Sequence, residues 1–302
     1  MIKFLKLLFL LIACMPSLGL AQQTDSLQKF INEYPFLDAN QKQMKAEMME
    51  MVRKSQLSQQ YFAMADALYD QSNYDQAISY YDSALVYDSS NSRIYNNLGN
   101  TYHNLKQYTN AIACFNIALA LDANNKVAYC NRANSYSHCG QIDAATRDYT
   151  MAITLDSDNY INYYNRGCFY MKIDLYDSAI KDYKYALFLN ANYPYPINNI
   201  AYIHLKQAKF NEAIKGFEHF IALTNESNDG YGNAFYDMGF AYYEKKRYYL
   251  AAINAEFGEY YKANNLNAFI QYKDIALHKM FFWNRWRYKK FKKALQENTC
   301  FN

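Results

Sequence analysis

An all-α solenoid, built from stacked pairs of antiparallel helices, is the fold class that this sequence predicts. The segment RIYNNLGNTYHNLKQYTNAIACFNIALALDANN, residues 93–125, recurs with a period of 34 residues. Self-similarity at such a period is typical of helical repeat arrays. The 302 residues also include only four prolines and nine glycines, few for the many turns of an all-β fold. A third observation is that small and aromatic residues return to the same positions in each copy.

These recurring positions follow a packing rule. In the copy at 92–125, small residues stand at the eighth, twentieth and twenty-seventh positions: Gly99, Ala111 and Ala118. Small side chains let two helices approach closely, and large ones such as Tyr102 and Phe115 fill the remaining gap. One helix pair cannot bury its apolar face alone, so neighbouring pairs must stack.

The period and these residues resemble the tetratricopeptide repeat, a helix–turn–helix unit of 34 residues. The residues predict about six repeats, with Asn228 to Tyr231 inserted before the last one. Pro194 and Pro196 fall in the first turn of the fifth repeat, where a missing N–H is tolerated. The predicted repeats occupy 58–91, 92–125, 126–159, 160–193, 194–227 and 232–265.

Residues 1–21 are typical of a signal peptide. Lys3 and Lys6 precede an apolar stretch, and Gly19-Leu20-Ala21 resembles a cleavage site before Gln22. Two alternatives remain: acylation of Cys14 in a lipobox-like Leu-Ile-Ala-Cys sequence, and an uncleaved anchor. All three predict export, to the periplasm or the exterior.

Capping helical segments are predicted at both ends of the array. Residues 22–57 show no clear repeat; Asp38 and Gln41 indicate a helix start, and several methionines follow at helical spacing. We interpret this segment as an N-terminal cap, with a methionine-rich binding face as the alternative. Residues 266–302 are predicted to form a C-terminal capping helix with a basic, aromatic tail.

The tail is unusual in its charge. Residues 279–293, KMFFWNRWRYKKFKK, carry seven positive charges and no negative one, although the whole chain has a net charge of only +3. Either its aromatic residues cap the array while its lysines stay solvated, or it contacts a membrane surface or an anionic glycan. Nucleic acid is not predicted as a partner, because an exported chain seldom meets it. The residues that would make the surface contact are Trp283, Arg285, Trp286, Arg287, Lys289, Lys290, Lys292 and Lys293.

Two repeats contain an arginine where the others have none. Arg132 and Arg166 occupy the seventh position, and Asp148 and Asp182 follow sixteen residues later. A charged side chain between packed helices needs a partner, so we predict the pairs Arg132–Asp148 and Arg166–Asp182. Their predicted role is structural.

A peptide-binding groove is implied by the family resemblance, in which the first helix of each repeat lines the concave surface. The sixth position holds asparagine in four repeats: Asn97, Asn131, Asn165 and Asn199. Amides can both donate to and accept from the main chain of an extended peptide. Packing or solvation is the alternative role of this asparagine column. The other residues predicted to share the surface are Asn100, Asn134, Tyr164, Asn198, Tyr202 and Tyr236.

No catalytic, cofactor or metal site is predicted. The sequence has no glycine-rich phosphate loop, HExxH or GxSxG motif. His103, His138 and Cys139 match no zinc-binding spacing. We therefore expect a non-enzymatic scaffold that binds a peptide or protein segment in the groove. The alternatives are a cell-envelope adaptor that docks through the tail, and an oligomerising module without an external client.

Overall fold

The computed structural model describes residues 39–225, 230–261 and 288–289. Within these residues it contains α-helices and no β-strand, which confirms the predicted all-α helical-repeat class. None of the described helices is long and apolar enough to span a bilayer. The helices are α1 (Ala39–Asp70), α2 (Tyr74–Tyr87), α3 (Ser92–Asn104), α4 (Tyr108–Leu121), α5 (Lys126–His138), α6 (Ile142–Leu155), α7 (Tyr160–Lys172), α8 (Tyr176–Leu189), α9 (Tyr195–Lys206), α10 (Phe210–Leu223), α11 (Tyr231–Glu244) and α12 (Tyr248–Tyr260).

The chain divides into two compact units, residues 1–145 and 146–302, with the boundary inside α6. In unit 1 each helix packs on the next one, and α1, α3 and α5 also contact each other in turn. In unit 2 the first helices α7, α9 and α11 contact each other in the same way, and α8, α10 and α12 pack behind them. Each unit is therefore two-layered, with first helices forming one layer.

Local signals start and end these helices at regular intervals. The side chains of Asn91, Asn125 and Asn159 accept hydrogen bonds from the free N–H groups that begin α3, α5 and α7. Within each repeat, the turn between its two helices contains one residue with a left-handed backbone. This position recurs every 34 residues, apart from the four-residue insertion, at Ser72, Lys106, Gly140, Asp174, Ala208 and Lys246.

The predicted packing of glycine against an aromatic ring is present in both units. A Cβ placed on Gly99 would lie 2.7 Å from the ring of Phe115, and one on Gly167 would lie 2.7 Å from the ring of Tyr183. Both rings are completely buried. The absence of a side chain at the eighth position is what lets the two helices of a repeat approach closely.

Gly99→Ala is expected to lower the free energy of unfolding by about 1–3 kcal/mol. Alanine favours a helix by up to about 1 kcal/mol over glycine, but the buried Phe115 ring cannot move away from the added methyl group. Chemical denaturation of both proteins checks this. Shortening the ring by Phe115→Leu in the Gly99→Ala background should recover part of the loss, and an alanine variant as stable as the wild type would contradict the clash.

The described part of the N-terminal cap shares a helix with the first repeat. The sequence analysis separates a capping segment from a first repeat beginning at residue 58, whereas α1 runs without a break from Ala39 to Asp70. These 32 residues contain no glycine or proline to interrupt the helix. The cap and the first helix of the first repeat are therefore one continuous helix.

The Arg166–Asp182 pair is confirmed. Arg166 Nε and Nη2 donate to the two carboxylate oxygens of Asp182, at 2.7 and 2.9 Å, and Nη1 donates to Thr150 Oγ1 at 3.3 Å. Arg132 instead donates to Asn116 Oδ1 at 2.7 Å, within unit 1. Its predicted partner Asp148 belongs to unit 2, and that pair stays a prediction.

Several predictions lie outside the described residues: the signal peptide, residues 228–229 of the insertion, and most of the tail. Of the tail, the structure describes Tyr288 and Lys289, which are helical. Tyr288 is buried against Ala252 of α12 and donates a hydrogen bond to Glu256, whereas Lys289 is exposed. At these two positions the aromatic side chain covers the last repeat and the lysine is solvated.

Candidate functional site

In unit 1 the asparagines of the first-helix layer are joined by hydrogen bonds. Asn97 Nδ2 donates to Asp66 Oδ1 at 2.9 Å, Asn96 Nδ2 donates to Asn97 Oδ1 at 3.1 Å, and Asn131 Nδ2 donates to Asn96 Oδ1 at 3.2 Å. Tyr81, on α2, also donates to Asp66 Oδ1, at 2.6 Å. We call these five residues the amide network. Two members of the predicted asparagine column therefore have internal partners.

A cavity of about 220 Å³ opens beside the amide network, between α1, α2 and α3. Asn100, which the sequence analysis assigns to the binding surface, lines it. Asp66 and Tyr81 of the network also face it. The full lining is Asp66, Tyr69, Asp70, Tyr81, Asn97 and Asn100.

The lining of this cavity contains two carboxylates, those of Asp66 and Asp70. Burial and the adjacent Asp66 carboxylate raise the pKa of Tyr81 well above its ordinary value, so its hydroxyl stays protonated and donates. Tyr69 is held in place by Asn104, which donates to its hydroxyl at 2.9 Å, and by the ring of Tyr74 at 5.6 Å. The cavity thus presents fixed acceptor groups to its interior.

In unit 2 a different set of partners surrounds the column. Asn199 Nδ2 donates to the hydroxyl of Tyr183 at 3.1 Å and to Cys168 Sγ at 3.6 Å. Asn165 makes no side-chain hydrogen bond to the described residues and is half-buried. The column is therefore mixed: the Asn165 side chain has no hydrogen-bond partner among the described residues, whereas the Asn199 amide has an internal acceptor.

Four tyrosines cluster near the first turns of α7 and α9. The ring of Tyr193 lies 4.9 Å from that of Tyr160, 5.2 Å from that of Tyr164 and 5.3 Å from that of Tyr195. Burial raises the pKa of Tyr193 to about 12 and raises the pKa of Tyr164 as well. Tyr164, a predicted binding residue, is thus part of an aromatic cluster.

The sixth repeat has an aspartate, Asp237, where the other four repeats of the column have asparagine. Burial raises the pKa of Asp237 to about 7, although the charge of Lys206 acts in the opposite direction. The ammonium group of Lys206 lies 5.1 Å from the ring centre of Tyr202. Tyr236 lies beside this carboxyl, whose charge contributes to its raised pKa.

The remaining predicted surface residues are placed as follows. Asn134, on α5, and Asn198, on α9, are half-buried. The side-chain oxygen of Asn198 is buried and accepts no hydrogen bond from the described residues. Lys289 is the one predicted tail contact that the structure describes, and the other seven lie outside the described residues.

Sequence reasoning missed Asp66, which accepts hydrogen bonds from Asn97 of the column and from Tyr81. It stands at the ninth position of the first repeat, equivalent to Asn100 and Asn134 in the next two repeats. The signal was present, because Asn100 and Asn134 at this position belong to the predicted binding surface. It was overlooked because the first repeat matches the pattern weakly in its first helix.

Histidines and cysteines form no multidentate site in the described residues, where no group of three or more side chains could hold a metal ion. The rings of His103 and His138 lie 5.3 Å apart, and Tyr108 stacks on His138 at 4.6 Å. Burial raises the pKa of the Cys114 thiol to about 11 and raises that of Cys168, so both stay protonated at neutral pH and are weak nucleophiles.

Comparison with known proteins identifies one recurring family. Profiles described as tetratricopeptide repeat match residues 62–126, 127–159 and 161–193. A comparison of the sequence with curated proteins gives no match.

Solved structures give the same assignment of fold. The crystal structure of the APC/C hetero-tetramer Cut9–Hcn1 aligns with 85% of this chain and 53% of its own chain, with 14% identity and a TM-score of 0.59. A tetratricopeptide repeat protein from Parabacteroides merdae aligns with 74% of this chain and 99% of its own, with 16% identity and a TM-score of 0.50. At such identities the likeness concerns the fold alone.

Proposed function

From the premise that this chain is a tetratricopeptide repeat protein, we propose that it is a non-enzymatic scaffold that binds a peptide or protein segment along its first helices. The observation that carries the proposal is the open cavity between α1, α2 and α3, with Asn100 in its lining. Fixed polar groups around a concavity are the arrangement by which such sites orient a ligand.

The hydrogen bonds separate the residues that support the fold from those that can contact a ligand. Asn97, Asn131 and Asn199 hold neighbouring helices together through their amides. Asn100 and Asn165 make no side-chain hydrogen bond to the described residues, so a ligand can use them without breaking the structure. We therefore assign ligand contact to these two, one in each unit, and support to the other three.

A peptide display experiment tests this proposal. Twelve-residue random peptides would be selected on residues 22–302, and their affinity measured on Asn100→Ala and Asn165→Ala. Loss of one hydrogen bond is expected to weaken binding about 2- to 12-fold in at least one variant. Asn110→Ala, an exposed amide at the start of α4, is the matched control and should bind as the wild type does. Recovery of no peptide, or equal affinity for all four proteins, would overturn the proposal.

Export is the second part of the proposal, and it rests on residues 1–21. The expected mature chain begins at Gln22. N-terminal sequencing and intact mass of the protein recovered from a bacterial periplasm check this. A lipid-modified chain that begins at Cys14 would show that the protein is a lipoprotein. A chain with an intact N-terminus in the cytoplasm would contradict export.

The cell-envelope adaptor that docks through the tail stays a prediction, because seven of its eight predicted contact residues lie outside the described residues. The one aromatic residue of the tail that the structure describes, Tyr288, is buried against α12. That observation favours a capping role for this position.

A further inference from the structure

The cavity in unit 1 has a charge that nothing in the described chain neutralises. Asp66 and Asp70 both line it, and neither forms an ion pair or is bonded to a cation among the described residues. We propose that this cavity binds the guanidinium group of an arginine in the peptide that the scaffold carries. The inference rests on the proposed function and adds the class of side chain that is recognised.

The two carboxylates are arranged to receive a ligand from one side. Tyr81 and Asn97 both donate to Oδ1 of Asp66, which fixes the carboxylate and leaves Oδ2 without a hydrogen bond to the described residues. Asp70 lies one helical turn further along α1, on the same face. Both residues therefore line the same cavity.

Two carboxyl groups of unit 2 have a cation nearby: Asp182 is paired with Arg166, and the charge of Lys206 acts on Asp237. Asp66 and Asp70 of the cavity have no cationic partner among the described residues. Residues 58–104 contain five aspartates and one arginine, Arg93, whose guanidinium instead lies over the ring of Phe62 at 5.6 Å. An external cation is the group that would complete the cavity.

Guanidinium fits this lining better than an ammonium group does. Its planar fork presents five N–H donors, enough to bridge two carboxylates and reach the amide oxygens of Asn97 or Asn100. Tyr69 adds an aromatic surface on which the plane can stack. A lysine ammonium is a compact charge with three donors and satisfies fewer of these acceptors at once.

The test uses the peptides selected on residues 22–302. Arginine should be enriched at one position of these peptides. Replacing that arginine by lysine should weaken binding about 10-fold, and replacing it by glutamine about 100-fold. On the protein side, Asp66→Asn and Asp70→Asn should each weaken the arginine peptide about 10-fold. Asp66→Asn keeps an oxygen that can accept from Tyr81 and Asn97, so the fold is retained; unchanged helicity and melting temperature verify this.

Asp75→Asn is the matched control, because Asp75 is an exposed aspartate on α2 that does not line the cavity. It removes the same charge and should leave affinity unchanged. Peptides that bind without arginine enrichment and are indifferent to Asp66→Asn would overturn this inference while leaving the scaffold proposal intact. If Asp75→Asn weakens binding equally, the loss of affinity reflects general charge attraction, and the inference is overturned as well. Failure to select any peptide would refute both.

Discussion

Replacing Arg166 by methionine is expected to lower the free energy of unfolding by about 3–5 kcal/mol. The side chain of Asp182 is 6% exposed and that of Arg166 is 18% exposed, so the substitution leaves a carboxylate inside the repeat without a partner. Methionine keeps most of the aliphatic packing of the arginine stem, which confines the change to the lost charge and its hydrogen bonds. Urea denaturation of the full chain measures the effect.

Two further variants distinguish the effect of the lost Arg166–Asp182 ion pair from the effect of lost packing. Arg166→Met combined with Asp182→Leu should recover most of the lost stability, because no unpaired charge remains. Arg53→Met removes the arginine of the exposed Arg53–Glu50 pair, whose side chains are 71% and 51% exposed, and should change stability by less than about 0.5 kcal/mol. A double variant no more stable than Arg166→Met alone would show that the desolvated charge is not the cause.

Asp237→Asn is expected to raise the free energy of unfolding by about 2–4 kcal/mol at pH 8. The pKa of Asp237 rises from 3.8 to about 7 on folding, so the folded state holds a proton that the unfolded state releases. The contribution of the neutral Asp237 carboxyl to stability is fully present below pH 3.8. It is lost as the pH rises through about 7, where the buried carboxyl becomes charged. The amide removes the cost of burying the charge.

The pH dependence is the discriminating measurement for Asp237. The stability difference between Asp237→Asn and the wild type should be small at pH 3–4, grow between pH 4 and 7, and stay constant above that. Burial sets this shift and the charge of Lys206 opposes it, so Lys206 is the charged neighbour to which the pKa of Asp237 is sensitive. Asp158→Asn, an exposed aspartate of the same unit, should show no such growth. A difference that does not vary between pH 4 and 8 would contradict the raised pKa.

Much of the fold could be predicted because its determinants recur. Gly99 and Phe115 belong to one repeat and Gly167 and Tyr183 to another, and each pair forms the same close contact. The Arg166–Asp182 pair was also predictable, since an arginine placed between helices admits few partners. Periodicity converts one local packing rule into many correct predictions.

The site was harder to predict, because hydrogen-bond partners depend on geometry rather than on period. Asn97 and Asn165 occupy equivalent positions, yet Asn97 is bonded to Asp66 and Asn165 makes no side-chain bond to the described residues. The partner of Asn97 is a carboxylate of the preceding repeat, and the 34-residue period does not specify that side chain. The continuous α1 illustrates a related point: a period indicates where a repeat begins but not where a helix does.

The contacts between neighbouring helices also have a kinetic consequence. In each unit the main helix contacts join elements that are adjacent or next but one along the chain. Bringing such elements together closes only short loops, so the entropy lost before the first favourable contact forms is small. Chains with this contact pattern fold rapidly, and nucleation can begin at any repeat and spread to the next. A repeat made during synthesis can therefore begin to fold on its predecessor before the following repeat exists.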